Sequence, residues 1–292
     1  MIKLKLSIEL NYEIIQPGCD FIFNIHAAHT RSQTVVQENL YLSQPLTPDI
    51  YADPGSGNRY MRLTAAQGPL KVQYSATVEL THHTVPSLQL LEVPVARLPA
   101  AVLHYIYPSR YCQSDRLHKL AMREFGHLWQ GYARVKTIQE WVQQRVTFTS
   151  CTSNASTSAI DTLVEQVGVC RDFAHLMIAL CRAVNIPARF ATGIDYGADP
   201  ALGPADFHAY VEVYLGDRWY IFDPSGTAMP MGLVRFGTGR DAADAAFATI
   251  FGTVNSQSPT IAIEAIDDSS HQFFMPQHSL DALSTDDGLA RQ

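Results

Sequence analysis

Over the first hundred residues apolar positions recur at every second residue. Leu4, Leu6, Ile8 and Leu10 fall on one face of Lys3–Ile15, and Phe21, Phe23 and Ile25 stay in phase across Asp20–Ala27. That is the period of a half-buried strand. Gln33–Leu42, Arg59–Ala65 and Leu70–Leu80 are further candidates, punctuated by Pro-Gly, Pro-Gly-Ser-Gly and Gln-Gly-Pro turns. Strands at this spacing predict an antiparallel β-sandwich or barrel over residues 1–100. Val93–Pro108, broken by Pro94, Pro99 and Pro108, reads as a linker.

Beyond the linker the period becomes helical. A first helix carries Leu117, Leu120, Ala121, Phe125 and Leu128, with Ser114 or Asp115 as its cap. A second covers Ala133–Val146. The Ser/Thr-rich run Thr147–Thr157 reads as a loop, and Ser158 with Asp161 reads as the start of a helix through Gln166. Phe173, Leu176, Met177, Leu180, Cys181 and Val184 then form one apolar stripe, ended by Asn185 and Ile186-Pro187. Ala188–Ile194, Phe207–Leu215 and Arg218–Phe222 are strand candidates, and Asp195–Asp206 between the first two is expected to be a mobile loop. Gly237–Asp241 reads as a Gly-rich loop without the spacing or lysine of a phosphate loop. Thr260–Ile266 reads as a last strand and 267–292 as a polar, acidic tail. The expected domains are thus 1–100, 101–266 and this tail.

Composition narrows the function classes. With 292 residues, 47% hydrophobic and 17% charged, the chain can bury a sizeable core. A net charge of −7 without a Lys/Arg stripe argues against a nucleic-acid partner. The alternating start Met1–Ser7 lacks the apolar core of a signal peptide, and no apolar run is long enough to span a bilayer. A cytoplasmic protein with no membrane partner is the expectation. The five cysteines are odd in number and without CxxC spacing, which supports neither a disulfide framework nor a structural zinc site.

Three residues carry candidate chemistry. Cys170 falls in the first turn of the helix ending at Asn185, where free N–H groups and the helix dipole favour a negative sulfur. On that stretch alone a packing cysteine fits as well as a nucleophile. A two-residue turn at Gly216-Asp217 would pair Leu215 with Arg218 and Tyr210 with Asp223. His208 is then one diagonal step from Asp223 on the same face, about 7–8 Å away and within reach of long side chains. Taken singly, His208 is an ordinary strand histidine and Asp223 a turn aspartate before Pro224. His175 lies five residues past Cys170, about 500° around the helix, so it projects elsewhere and reads as structural.

Three segments together resemble the transglutaminase-like superfamily in its bacterial branch with an N-terminal β domain. They are Gly168-Val169-Cys170-Arg171-Asp172-Phe173-Ala174-His175, Phe207-His208-Ala209-Tyr210-Val211-Glu212-Val213 and Trp219-Tyr220-Ile221-Phe222-Asp223-Pro224-Ser225. Ile186-Pro187-Ala188-Arg189 and Gly239-Arg240-Asp241-Ala242-Ala243-Asp244 add to the match. Tyr210 stands where the family often has tryptophan, and Ser225 where it often has threonine. The resemblance implies an α+β, papain-like core, a helix packed on an antiparallel sheet, with Cys170 as nucleophile, His208 as base and Asp223 as orienting carboxylate. It implies a cysteine peptidase or amidase working through a thioester on a peptide, protein or amide substrate, with no cofactor. A protein-glutamine transglutaminase and a non-catalytic scaffold on the same fold are the alternatives.

Overall fold

The computed structural model describes residues 1–16, 18–197, 205–267 and 273–286. The N-terminal part holds β1 (Ile2–Ile14), β2 (Cys19–Phe23), β3 (Gln33–Leu42), β4 (Asp49–Ala52), β5 (Arg59–Ala65), β6 (Gly68–Leu80) and β7 (His83–Val85). Next come α1 (Ser114–Phe125), α2 (Tyr132–Arg145), β8 (Thr147–Phe148), α3 (Ala159–Glu165), β9 (Val167–Gly168) and α4 (Cys170–Ala183). The chain continues through β10 (Ala188–Asp195), β11 (His208–Leu215), β12 (Arg218–Phe222), β13 (Leu233–Gly239), β14 (Ala248–Phe251), β15 (Val254–Ser256), β16 (Thr260–Ile266) and β17 (Ala282–Asp286).

The two-residue alternation produces the sandwich it predicts. β1 turns Ile2, Leu4, Leu6, Ile8, Leu10 and Tyr12 inward, and β6 sets Val78, Ala76, Tyr74 and Val72 beside Leu4, Leu6, Ile8 and Leu10. The second sheet, β14-β2-β5-β4, contributes Phe21, Phe23, Met61 and Leu63 to the same core. Each such side chain taken out of water adds about 1.5–3 kcal/mol.

A central antiparallel sheet runs in the order β13-β10-β11-β12-β17-β7. Its β11–β12 hairpin has the predicted register, with Leu215 opposite Arg218 and Val211 opposite Phe222. Ala209, Val211, Val213 and Leu215 pack with α4, whereas Tyr210 on the opposite face joins the core of the β-sandwich. Helices therefore cover one face of this sheet and the β domain covers the other.

α4 is more deeply enclosed than one apolar stripe implies. Residues 172–183 are all buried, because α1, α2 and α3 pack around it as well as β10 and β11. Asn185 beyond its end takes the left-handed conformation (φ 65°), as the expected stop requires. Ser158 and Asp161 make the expected capping box: the Ser158 N–H and hydroxyl both donate to Asp161 Oδ2, at 2.9 and 2.7 Å. At α1 the capping expectation is corrected, since Gln113 precedes the helix and no side chain caps it.

Strands cross between the two halves. β14, β15 and β16 lie within 101–266, yet they complete the N-terminal sheets, β16 pairing with β1 along Lys3–Glu9. Conversely β7 belongs to the central sheet, beside β17. Reading 267–292 as a tail is corrected for Ala282–Asp286, which is a strand with Ala282, Leu283 and Ser284 buried. Its polar residues are tolerated because neighbours satisfy them: Arg218 Nε donates to Ser284 Oγ at 3.1 Å, and Thr285 Oγ1 donates to Glu212 Oε1 at 2.5 Å. Gly237–Gly239 is likewise not a loop but the buried end of β13. Glycine is needed there, since a Cβ at Gly237 would sit 2.2 Å from Asn24 Nδ2. Positions 198–204 of the expected Asp195–Asp206 loop, and 268–272 and 287–292 of the expected tail, lie outside the described residues.

Candidate functional site

Cys170 is placed by the start of α4. The Asp172 carboxylate accepts the Val169 N–H at 2.9 Å through Oδ2 and the Ser153 hydroxyl at 2.9 Å through Oδ1, which locks the first turn and the preceding strand together. Gly168 permits this, because a Cβ there would stand 2.8 Å from Asp172 Cβ. The result leaves Cys170 half-buried, its Sγ 4.0 Å from the Phe207 carbonyl oxygen.

His208 opens β11, one residue past that carbonyl. Its Nε2 faces Asp223 Oδ1 at 3.4 Å, and the Cys170 sulfur lies near enough to the imidazole to favour its charged form. Burial opposes the imidazolium, but the Cys170 sulfur and the Asp223 carboxylate outweigh it and hold His208 well above the ordinary histidine range. Tyr210 packs its ring edge-on to the imidazole, centroids 4.6 Å apart.

Asp223 follows β12 and is fixed on all sides. Oδ1 accepts the Ser225 N–H at 2.9 Å and the Ser225 hydroxyl at 2.5 Å, and Oδ2 accepts the Ala228 N–H at 2.9 Å. Its main-chain carbonyl accepts Gln139 Nε2 at 2.7 Å and Gln143 Nε2 at 3.2 Å, both from α2. Burial works against its charge, yet His208, the Ser225 hydroxyl and the Ala228 N–H keep its carboxyl below the ordinary aspartate value.

The three residues singled out from the sequence thus meet, from a helix start, a strand start and a strand end. Cys170 and His208 line a cleft of about 810 Å³ whose walls include Phe190, Phe207 and Phe247. Part of that wall comes from Ala248 in β14 and from Ser258 and Pro259 before β16, so the strands returned to the β domain help shape it. Among the described residues no cluster of three or more His, Cys, Asp or Glu is arranged to hold a metal ion, and no helix is long and apolar enough to cross a membrane.

Residues 123–224 match the family described as the transglutaminase-like superfamily, and residues 2–101 match the bacterial transglutaminase N-terminal domain. A crystal structure of a candidate cysteine protease from Cytophaga hutchinsonii is 40% identical, covers 97% of each chain and superposes with a TM-score of 0.88. The chain belongs to the transglutaminase-like superfamily. An uncharacterized protein of Mycobacterium leprae is 29% identical over 111 residues, 36% of this chain and 39% of that protein's length. The periplasmic domain of TgpA from Pseudomonas aeruginosa is more distant: 17% identity, 77% of this chain and 91% of that one, TM-score 0.38. Membership places the chain in a thiol-dependent acyl-transferase and protease family.

His175, the other histidine of the superfamily segments, does not line this cleft. It is fully buried, stacked on Tyr111, and its Nε2 accepts the Ala242 N–H at 3.1 Å. Burial first, then Arg171 and Arg182, hold it well below the ordinary histidine range, so it stays neutral. Sequence reasoning missed Asp195. As the last residue of β10 it looks like a turn aspartate, yet it is 5% exposed and lines the cleft.

Proposed function

We propose that the protein cleaves an amide bond of a peptide or protein through a thioester on Cys170. His208 takes the thiol proton, the sulfur adds to the carbonyl carbon, and the C–N bond breaks as the imidazolium protonates the departing amine. Water then gives a proton to His208 and adds to the thioester. The C–S bond breaks, the acid leaves and Cys170 regains its proton. Asp223 holds the imidazole orientation and stabilises its charged form. The Cys170 N–H, a first-turn donor of α4, suits the developing oxyanion. The observation that carries this reading is the His208 imidazole held between the Cys170 thiol and the Asp223 carboxylate at the wall of an open cleft.

The test is turnover of fluorogenic peptides, with a fluorescent alkylamine offered as a competing acceptor. Cys170→Ala and His208→Ala should each lose roughly 10³-fold or more in kcat with unchanged thermal unfolding. A thiolate-selective alkylator at mildly acidic pH should modify Cys170 ahead of the exposed Cys151. Amine incorporation outpacing hydrolysis would mean a transglutaminase. Turnover that survives Cys170→Ala would take the chemistry away from this sulfur, and absence of turnover with Cys151 reacting first would leave a binding protein on this fold.

A further inference from the structure

Asp195 is a carboxyl group that the chemistry above does not use. It stands at the end of β10, two residues past Gly193, which pairs with His208 across the sheet. It lines the same cleft as Cys170 and His208 and is buried. The Met229 N–H hydrogen-bonds its carboxylate, while Oδ2 has no hydrogen-bond partner among the described residues.

Among the described residues the cation that acts on it is the imidazole of His208, which Cys170 and Asp223 already share. Arg171, the arginine of the cleft wall, is committed to the Ser153 hydroxyl at 2.5 Å, the Asn154 carbonyl at 2.7 Å and Asp172 Oδ1 at 3.2 Å. Of the described residues that follow Asp195, Tyr196, Gly197 and Ala205 carry no cation and Asp206 is acidic. Asp206 lines the cleft too, its Oδ1 occupied by the Phe207 N–H at 2.7 Å. The same cleft has an apolar wall, with Phe207 and Phe247 stacked 4.3 Å apart.

Burying a carboxylate without a counter-charge is costly, and an incoming cation removes that cost. With Met229 on one oxygen, Oδ2 is the acceptor left wholly without a partner among the described residues. One acceptor suits a compact ammonium with its three donors, not the two-pronged fork of a guanidinium. We propose that Asp195 is a specificity-determining residue that receives a primary ammonium group of the substrate, held beside the amide bond that Cys170 attacks. The apolar wall takes the aliphatic body that carries this ammonium. The proposal rests on the catalytic reading of Cys170. Two sources share the chemistry, the free α-amine of a peptide's first residue and the ε-amine of lysine.

Three coumarin amides separate them in the full-length enzyme: norleucyl with a free α-amine, Nα-acetyl-lysyl, and Nα-acetyl-norleucyl as the neutral reference. One of the two cationic probes should exceed the reference by roughly 10-fold or more in kcat/KM, the scale of a charge-assisted hydrogen bond. In Asp195→Asn that ratio should fall to near one, whatever the neutral probe's own rate becomes. A residue that only steadied His208 would change all three probes together and leave the ratio intact. Ratios near one in the wild type, or a ratio that survives Asp195→Asn, overturn the ammonium site while leaving Cys170 chemistry standing. Should no probe turn over, equilibrium binding of the same three amides to Cys170→Ala, with and without Asp195→Asn, reads the site without catalysis. Cationic preference lost with Asp195 supports it, and equal binding overturns it.

Discussion

The face of the central sheet that meets the β domain carries two polar clusters, built from the same strands and finished differently. Toward the interior, Arg189 and Glu212 are cross-strand partners, and Arg235 and Asp286 complete a set of two positive and two negative charges. Both Glu212 oxygens are used: Arg189 Nε reaches Oε2 at 2.6 Å, while Arg235 Nη1 at 3.3 Å and Thr285 Oγ1 at 2.5 Å reach Oε1. Four residues along β11, His208 opens the other cluster, where Asp195 Oδ2 and the Tyr210 hydroxyl have no partner among the described residues. In the first cluster every charge faces an opposite one, with Arg235 Nε the atom left without a hydrogen bond among the described residues, and it ties the C-terminal strand to the sheet. In the second the unpartnered oxygen of Asp195 lies at the cleft wall, where an incoming group can reach it.

Exchanging the insult between the clusters gives the largest expected contrast. Asp223→Asn should lower kcat by about 10³–10⁴-fold, since the imidazole loses its orienting charge, with a far smaller change in unfolding free energy. Glu212→Ala should do the reverse. It leaves two buried guanidinium groups, Arg189 and Arg235, to share Asp286 as their remaining acidic partner, and should cost about 3–5 kcal/mol. Activity per folded molecule should persist. Urea titrations alongside kcat on purified variants decide it. Equal loss of both properties in both variants would erase the distinction between the clusters.

Much of the architecture was legible because it rests on local rules. The two-residue turn at Gly216-Asp217 set the register that brings His208 and Asp223 together, and Ser158 with Asp161 marked a helix start. The transposed strands were not legible. Ala282–Asp286 has a polar composition and becomes core only because Arg218 and Glu212 satisfy Ser284 and Thr285. The glycines of β13 look like a loop until Asn24 is seen to occupy the space a side chain would fill at Gly237. Asp195 was hidden for the same reason: its burial comes from elements distant in sequence, so its place at a strand end suggested only a turn. The apolar stripe of α4 located Cys170, but the burial of α4's other sides depends on three separate helices.

A smaller, pH-dependent effect sharpens the comparison at Asp195. Burial first, then the Asp223 charge, push its carboxyl up from 3.8 to about 6, against the pull of His208 and the Met229 N–H. The fold therefore holds that proton more tightly than the unfolded chain. Stability from this group is present at low pH and is lost as pH rises from about 4 through about 6. Asp223, lowered instead, contributes stability above the ordinary aspartate value and loses it only as pH falls further. Asp195→Asn should accordingly gain on the wild type by about 2 kcal/mol between pH 4 and pH 7.5. Urea midpoints at the two pH values measure this, and a pH-independent difference would mean that Asp195 is not an unpaired buried charge.

The smallest effect tests how far the open cluster is held from behind. The Ser225 hydroxyl donates to Asp223 Oδ1 at 2.5 Å and meets Thr227 Oγ1 at 2.8 Å. Removing it leaves Oδ1 with the Ser225 N–H and His208. Ser225→Ala should then cost about 1 kcal/mol of orientation, a fall in kcat of roughly 5-fold, and should raise the Asp223 carboxyl toward its ordinary value. Ser225→Thr keeps the hydroxyl and should retain the wild-type rate. A merely structural serine would shift the unfolding midpoint of both variants without separating their kcat. If alanine and threonine give equal kcat at every pH, Asp223 is positioned by its backbone contacts to Ser225 and Ala228, and the hydroxyl adds nothing to the site.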